Sequence, residues 1–112
     1  MGERQLYLRK NILFDAVSEH PPSHFIDYSK FLDAVYQYVK NRQKYSYNDF
    51  SCDLGFGEST YIHQIVRRYR SLTVKNAEKI AGKLEITGKE KKYLINLVKY
   101  SHARSSVDRE LA

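Results

Sequence analysis

A chain of 112 residues, 42% apolar and 29% charged, has room for one compact domain with one core. That size disfavours an ordinary enzyme, which needs both a deep pocket and a shell of groups to preorganise it. Nineteen Lys and Arg against thirteen Asp and Glu leave a net charge of +6 and a pI near 9.4, which suits a polyanionic partner without separating nucleic acid from an anionic membrane or an acidic protein.

The single cysteine, Cys52, cannot close an intrachain disulfide. The longest apolar run near the N-terminus, Ile12 to Phe14, is too short for a signal peptide. No stretch approaches the ~20 apolar residues of a membrane span, so the expectation is a soluble, cytoplasmic protein without a membrane partner.

Taken in order, residues 1–18 read ambiguously. Leu6, Leu8 and Ile12 suit an extended arm, while Leu6, Leu13 and Val17 suit a short helix, the preferred reading. His20, Pro21, Pro22 and Ser23 break the pattern, so residues 1–25 are expected to form an extension and a proline-containing linker. Asp27 then caps a helix whose face carries Phe31, Val35, Tyr38 and Val39 as far as about Arg42. Ser46 and Asp49 form a capping box ahead of a two-turn helix that Gly55 ends by supplying a left-handed residue. Asp49 and Asp53 on this helix are expected to serve capping and helix polarity, and Cys52 between Ser51 and Asp53 to be packed rather than reactive.

Gly55, Phe56 and Gly57 predict a tight turn into a third helix over about 59–69. Thr73 caps a fourth, with Ala77, Ile80, Ala81 and Leu84 at helical spacing. A Thr87-x-x-Glu90 box opens a fifth, in which Leu94, Leu97, Val98 and Ser101 continue toward His102. The small and charged residues of 103–112 predict a frayed tail. No segment reads as a secure strand, so the fold class is all-α: a small orthogonal bundle of about five helices over residues 26–102 that contains a helix-turn-helix.

The third helix carries the functional signal. Ile62, Ile65, Val66 and Tyr69 stand at offsets of 0, 3, 4 and 7 and form its buried stripe. Its other face presents Ser59, Thr60, His63, Gln64 and Arg67, side chains that hydrogen-bond to base edges, Gln with adenine and Arg with guanine above all. Any surface helix has a polar face, but here the flanking charge is uneven. Arg67, Arg68, Arg70, Lys75, Lys79 and Lys83 are opposed within that interval by Glu78 alone. Cations at the end of a reading helix and the start of the next are where such a motif meets phosphates. Arg68, Arg70, Ser71, Thr73 and Lys75 are therefore the expected phosphate contacts, joined by the Tyr47 hydroxyl from the loop before the motif. Lys79 and Lys83 fit a plain solvated face equally well.

The run from Phe50 to Ile86, FSCDLGFGESTYIHQIVRRYRSLTVKNAEKIAGKLEI, resembles the Cro and phage-repressor type of helix-turn-helix domain. With the upstream IDYSKFLDAVYQYVKNRQKYSYNDF it resembles more specifically the N-terminal domain of a bacterial family of transcriptional regulators, over roughly Ile26 to Ser101. The resemblance implies that Phe50 to Leu54 form the first helix of the motif, Gly55 to Gly57 the turn and Ser59 to Arg67 the recognition helix. It also matches Arg70 to the basic residue of the following loop, and Leu72 with Thr73 to the start of the next helix. Where relatives commonly carry a Gly-Lys pair after the recognition helix this chain has Arg68 and Tyr69, which either lengthen that helix or alter the approach of the loop. Many relatives also continue into a second, larger domain, so these 112 residues are expected to be either a stand-alone short form or an excised domain.

The four histidines are scattered without a metal-ligand spacing, and no phosphate loop or nucleophile elbow is present, so neither a cofactor nor catalysis is expected. The ten tyrosines are dispersed along the chain rather than gathered as a platform for single-stranded bases. The expected function is double-stranded DNA binding in a transcriptional regulator acting as a homodimer. The alternative is a protein-interaction module on the same scaffold, with a protein partner docked on the N-terminal segment or the last helix.

Overall fold

Six α-helices and one 3-10 turn make up the computed structural model, which describes the backbone of residues 2–111 and the side chains of residues 9–104. The order is α1 (Gly2–Glu19), the 3-10 turn (Pro22–His24), α2 (Tyr28–Lys40), α3 (Tyr47–Asp53), α4 (Tyr61–Val66), α5 (Val74–Lys83) and α6 (Gly88–Leu111). No strand occurs among the described residues. The all-α expectation holds, and so does the helical reading of the first segment.

Helix α2 starts where Asp27 accepts from the Ser29 amide, as its position before the apolar stripe predicts. Phe31, Leu32, Val35, Tyr36 and Val39 bury its inner face. Helix α1 packs along α2, and its Leu13 and Ala16 join the same core as Phe31, Phe50, Ile65, Ile80 and Leu94. The segment read as an extension thus shares the core of the bundle. Leu6 lies outside the described side chains, whereas Ile12 and Val17 are half-buried against the core.

The prolines act as more than a spacer. Pro22 is buried in the 3-10 turn, which rests against α6, and the Tyr93 hydroxyl donates to the Phe25 carbonyl. The Glu90 carboxylate accepts from the Ser23 amide at 2.9 Å, so it ties α6 to the turn instead of closing a box with Thr87. Helix α6 runs on through Leu111, past the point at which its small and charged residues suggested fraying. Its Leu94 and Val98 are buried, while Leu97 and Ser101 are only half-buried.

Helices α3, α4 and α5 are short and end alike. In each, the residue after the C-cap is left-handed: Gly55 (φ 85°), Arg68 (φ 66°) and Glu85 (φ 55°). The next amide reaches back to the third carbonyl from the helix end: Phe56 to Ser51, Tyr69 to Gln64 and Ile86 to Ala81, at 3.0, 2.9 and 2.8 Å. This is the Schellman closure, which satisfies carbonyls that a helix end leaves unpaired. Only one of the three left-handed positions is glycine. The sequence therefore shows the end of α3 but hides that of α4, which stops at Val66 instead of reaching Tyr69.

Candidate nucleic-acid interface

The Ser46–Asp49 capping box forms as expected and sets the start of α3. Asp53, at the far end, does something the sequence did not announce. It accepts from Arg9 Nε and Nη2 at 2.8 and 2.6 Å and from the Tyr45 hydroxyl at 2.8 Å, so it clamps α1 and the loop before α3 to this helix rather than serving its polarity. Burial first, then the charge and hydrogen bond of Asp53, hold the Tyr45 phenol far above its ordinary value. Cys52, on the outer side of the same helix, is exposed rather than packed, because the inner positions are taken by Phe50, Ser51 and Leu54.

The connection from α3 to α4 spans residues 54–60, longer than the three-residue turn expected. Helix α4 is therefore only Tyr61–Val66, and with six residues it cannot satisfy most of its own backbone. Thr60 makes no side-chain cap. Two buried serines stand in from neighbouring helices. Ser51 Oγ on α3 accepts from the Ile62 amide at 3.2 Å, and Ser29 Oγ on α2 donates to the Ile65 carbonyl at 3.1 Å. The Asn76 side chain of α5 adds a third tie, donating to the Tyr61 hydroxyl at 2.7 Å. Apolar burial of Tyr61, Ile62 and Ile65 completes the seat. Tyr69, read as part of that stripe, is instead 75% exposed, because the left-handed Arg68 turns the chain away before it.

What α4 and its two flanks present outward is close to the expected set. Ser59, Thr60, His63 and Arg67 are exposed, and Gln64 is half-buried. His63 lies on the Tyr47 ring, centroids 4.6 Å apart, and Tyr47 lies in turn on Tyr36 at 3.8 Å. Tyr47 corrects the expectation of a phosphate donor. Its hydroxyl donates to Asp33 at 3.0 Å, and its phenol is held above the ordinary value by burial and then by Asp33, with the charge of Arg67 pulling the other way. It is a platform beneath His63 beside Arg67.

The cations divide into two sets. Arg70 donates to Glu58 at 2.7 Å and to Gln64 Oε1 at 3.3 Å, with its guanidinium 4.7 Å above the Tyr61 ring. Gln64 Nε2 donates to Thr60 Oγ1 at 3.4 Å, so Thr60, Gln64, Arg70 and Glu58 form one surface chain. Arg68 pairs with Asp27. By contrast Arg67, Lys75 and Lys83 have no acidic partner among the described residues, and Lys79 lies 4.9 Å from the Phe56 ring centroid. Ser71 is exposed, and Thr73 caps α5 by accepting from the Asn76 amide at 3.1 Å. Glu58, Ser29 and Ser51 were missed because none belongs to a recognisable motif, and Asp27, read as a cap, gave no sign of its pairing with Arg68. The only hint was Ser51, a hydroxyl one position after Phe50 and three before Leu54 on an otherwise inward face.

No three His, Cys, Asp or Glu side chains cluster as a metal set among the described residues, and no described helix is long and apolar enough to cross a membrane. No family model, curated protein or solved structure matches this chain.

Proposed function

We propose that this chain is a double-stranded DNA-binding domain of a transcriptional regulator, with α3, its loop and α4 working as a helix-turn-helix and α4 entering the major groove. The observation that carries the reading is the mounting of α4. A six-residue helix is held by buried serines at both ends and by a buried apolar face, so His63 on its other face, with Thr60 and Arg67 at its two ends, is presented rigidly to solvent. Rigid presentation of hydrogen-bonding side chains is what direct readout needs. Arg67 and Lys75, unpaired among the described residues, serve as phosphate contacts, with Arg70 and Arg68 joining by exchanging their carboxylates for phosphate. Gln64 reads adenine by releasing Thr60 and Arg70. One such module spans few base pairs, so the proposal includes a homodimer on half-sites about one helical turn apart, in a reducing cytoplasm suited to an unpaired thiol.

Titration of random duplex across salt tests the class. If six or more phosphates are neutralised, affinity falls roughly 1,000-fold or more between about 50 and 200 mM salt. A salt-independent affinity, or none, rejects the proposal and favours a protein partner instead. Within it, Gln64→Ala is expected to lose about 1–3 kcal/mol on a selected site and little on random sequence, while Arg67→Ala lowers the salt slope by about 1 on both if it holds phosphate.

A further inference from the structure

A groove of about 490 Å³ lies between the loop that follows α4 and the outer face of α6. Its α6 wall is a single helical stripe, Leu97, Tyr100, Ser101 and Arg104, at offsets of 0, 3, 4 and 7. Facing it are Arg68, Arg70 and Ser71 from the loop, with Tyr28 at the start of α2. Three arginines thus line the groove beside one carboxylate, Asp27, which Arg68 and the Ser29 amide already hold. Arg70 spends Nη1 on Glu58 and Gln64 and lies over the Tyr61 ring, none of which lines the groove, so it reaches a ligand there by turning in or with its remaining Nε and Nη2 N–H groups. Arg104 has no carboxylate partner among the described residues. The Tyr28 hydroxyl accepts from the Leu72 amide and still has its own proton to donate. Apart from the occupied Asp27 and from Ser29, whose hydroxyl proton goes to the Ile65 carbonyl, each polar side chain of the lining is able to donate.

The rest of the lining is apolar and unusually open. Ile26 is 90% exposed and Tyr100 63% exposed, and both border the groove beside Leu97. A site with guanidinium groups on one side and an aliphatic and aromatic surface on the other complements an anion joined to a flat or apolar body. Guanidinium forks and hydroxyl donors favour the three-oxygen face of a phosphate group, and the volume is of the order that holds a small ligand, about 300–1,000 Å³.

We infer that this groove binds a phosphate group attached to an organic body, of the nucleotide type, through Arg68, Arg70 and Arg104, with Tyr100 and Ile26 against the body. The phosphate has two possible sources, a free small ligand or the backbone of a duplex lying across the loop. The inference stands without the duplex reading in its first form and rests on it in the second.

The test uses the full chain and three probes: adenosine 5′-monophosphate, inorganic phosphate and adenosine. Calorimetric titration is expected to show saturable binding of the nucleotide, weaker binding of inorganic phosphate and none of adenosine. Arg104→Ala, at an exposed position on α6, is expected to leave the helix intact by circular dichroism and to lower nucleotide affinity at least tenfold, while Lys92→Ala, exposed on α6 and outside the groove, is expected to leave it unchanged. That pattern establishes the free ligand. If the nucleotide does not saturate but Arg104→Ala weakens random duplex at least tenfold and Lys92→Ala does not, the phosphate comes from the backbone. Equal response of the two variants to every probe, or no binding of nucleotide, phosphate or duplex, overturns the inference. A chain that binds the nucleotide but not duplex retains this groove and loses only the DNA reading.

Discussion

Helices α3 and α4 are consecutive, similar in length and closed by the same backbone pattern, yet they are fixed by different chemistry. Helix α3 is clamped through a carboxylate, Asp53, which gathers Arg9 and Tyr45. Helix α4 is held by neutral hydroxyls on Ser51 and Ser29. A clamp built on a charged group is the stronger kind, and one built on neutral hydroxyls the weaker. The face proposed to meet DNA is thus on the element seated by neutral groups, while the carboxylate clamp ties α3 to α1.

Removing one clamp at a time breaks the comparison where it is weakest. Asp53→Ala deletes the acceptor of three hydrogen bonds, and because Arg9 is only 19% exposed the released guanidinium stays partly enclosed. Breaking a buried pair from one side costs about 3–5 kcal/mol, and the expected loss is near the lower end, about 3, since Arg9 can turn toward water. Chemical denaturation measures it. A loss below about 1 kcal/mol would place this pair with ordinary surface ion pairs.

Ser51→Ala is the matching change for α4. It leaves the Ile62 amide facing a methyl group in a fully buried position, at an expected cost of about 1–3 kcal/mol. Amide hydrogen exchange distinguishes this from general loosening: protection is expected to fall at Ile62 and along α4 before it falls in α2. Uniform loss of protection would show that α4 has no separate seat.

The contrast also bears on how much of this molecule the sequence discloses. The end of α3 is legible because Gly55 is a residue that adopts φ 85° without strain. The end of α4 is not, because Arg68 takes the same conformation against its preference and the apolar spacing runs on to Tyr69, which then proves to be exposed. Caps at Asp27, Ser46 and Thr73 are local and could be read directly. Asp53 to Arg9 spans 44 residues, and Ser29 to Ile65 spans 36. Ties of that length have no sequence pattern, so the outward residues of α4 were found while the residues that hold it were not.

Alkali separates the two clamps without mutation. Tyr45 keeps its proton in the folded state well above the ordinary phenol value of 10.0, by burial and then by Asp53. Its contribution is complete below that value. As pH rises beyond it the unfolded chain ionises and the folded chain does not, so stability falls, by up to about 1.4 kcal/mol per pH unit for each such phenol. Tyr47 acts in the same direction through burial and Asp33. Melting temperature is expected to hold steady to about pH 9.5 and then decline, with a shallower decline in Tyr45→Phe relative to its own neutral value. Equal slopes in the two proteins would remove Tyr45 from the account.

The smallest expected effect lies at the left-handed position itself. Arg68→Gly relieves a conformation that costs an ordinary residue roughly 1–2 kcal/mol. Against this stand the added freedom of glycine in the unfolded chain, about 0.4–1 kcal/mol, and the loss of the Asp27 pair, which at an Arg68 side chain 64% exposed is worth about 0–1 kcal/mol. The balance is a change smaller than about 1 kcal/mol in either direction, even though an arginine in a bridge is being deleted. Affinity for duplex is expected to fall nonetheless, because a proposed phosphate contact has gone. Near-constant stability with weaker binding would mean that this position keeps arginine for its charge and tolerates the backbone strain. A stability loss well above 1 kcal/mol would instead make the Asp27 pair the true closure of α4 and the likeness to the end of α3 superficial.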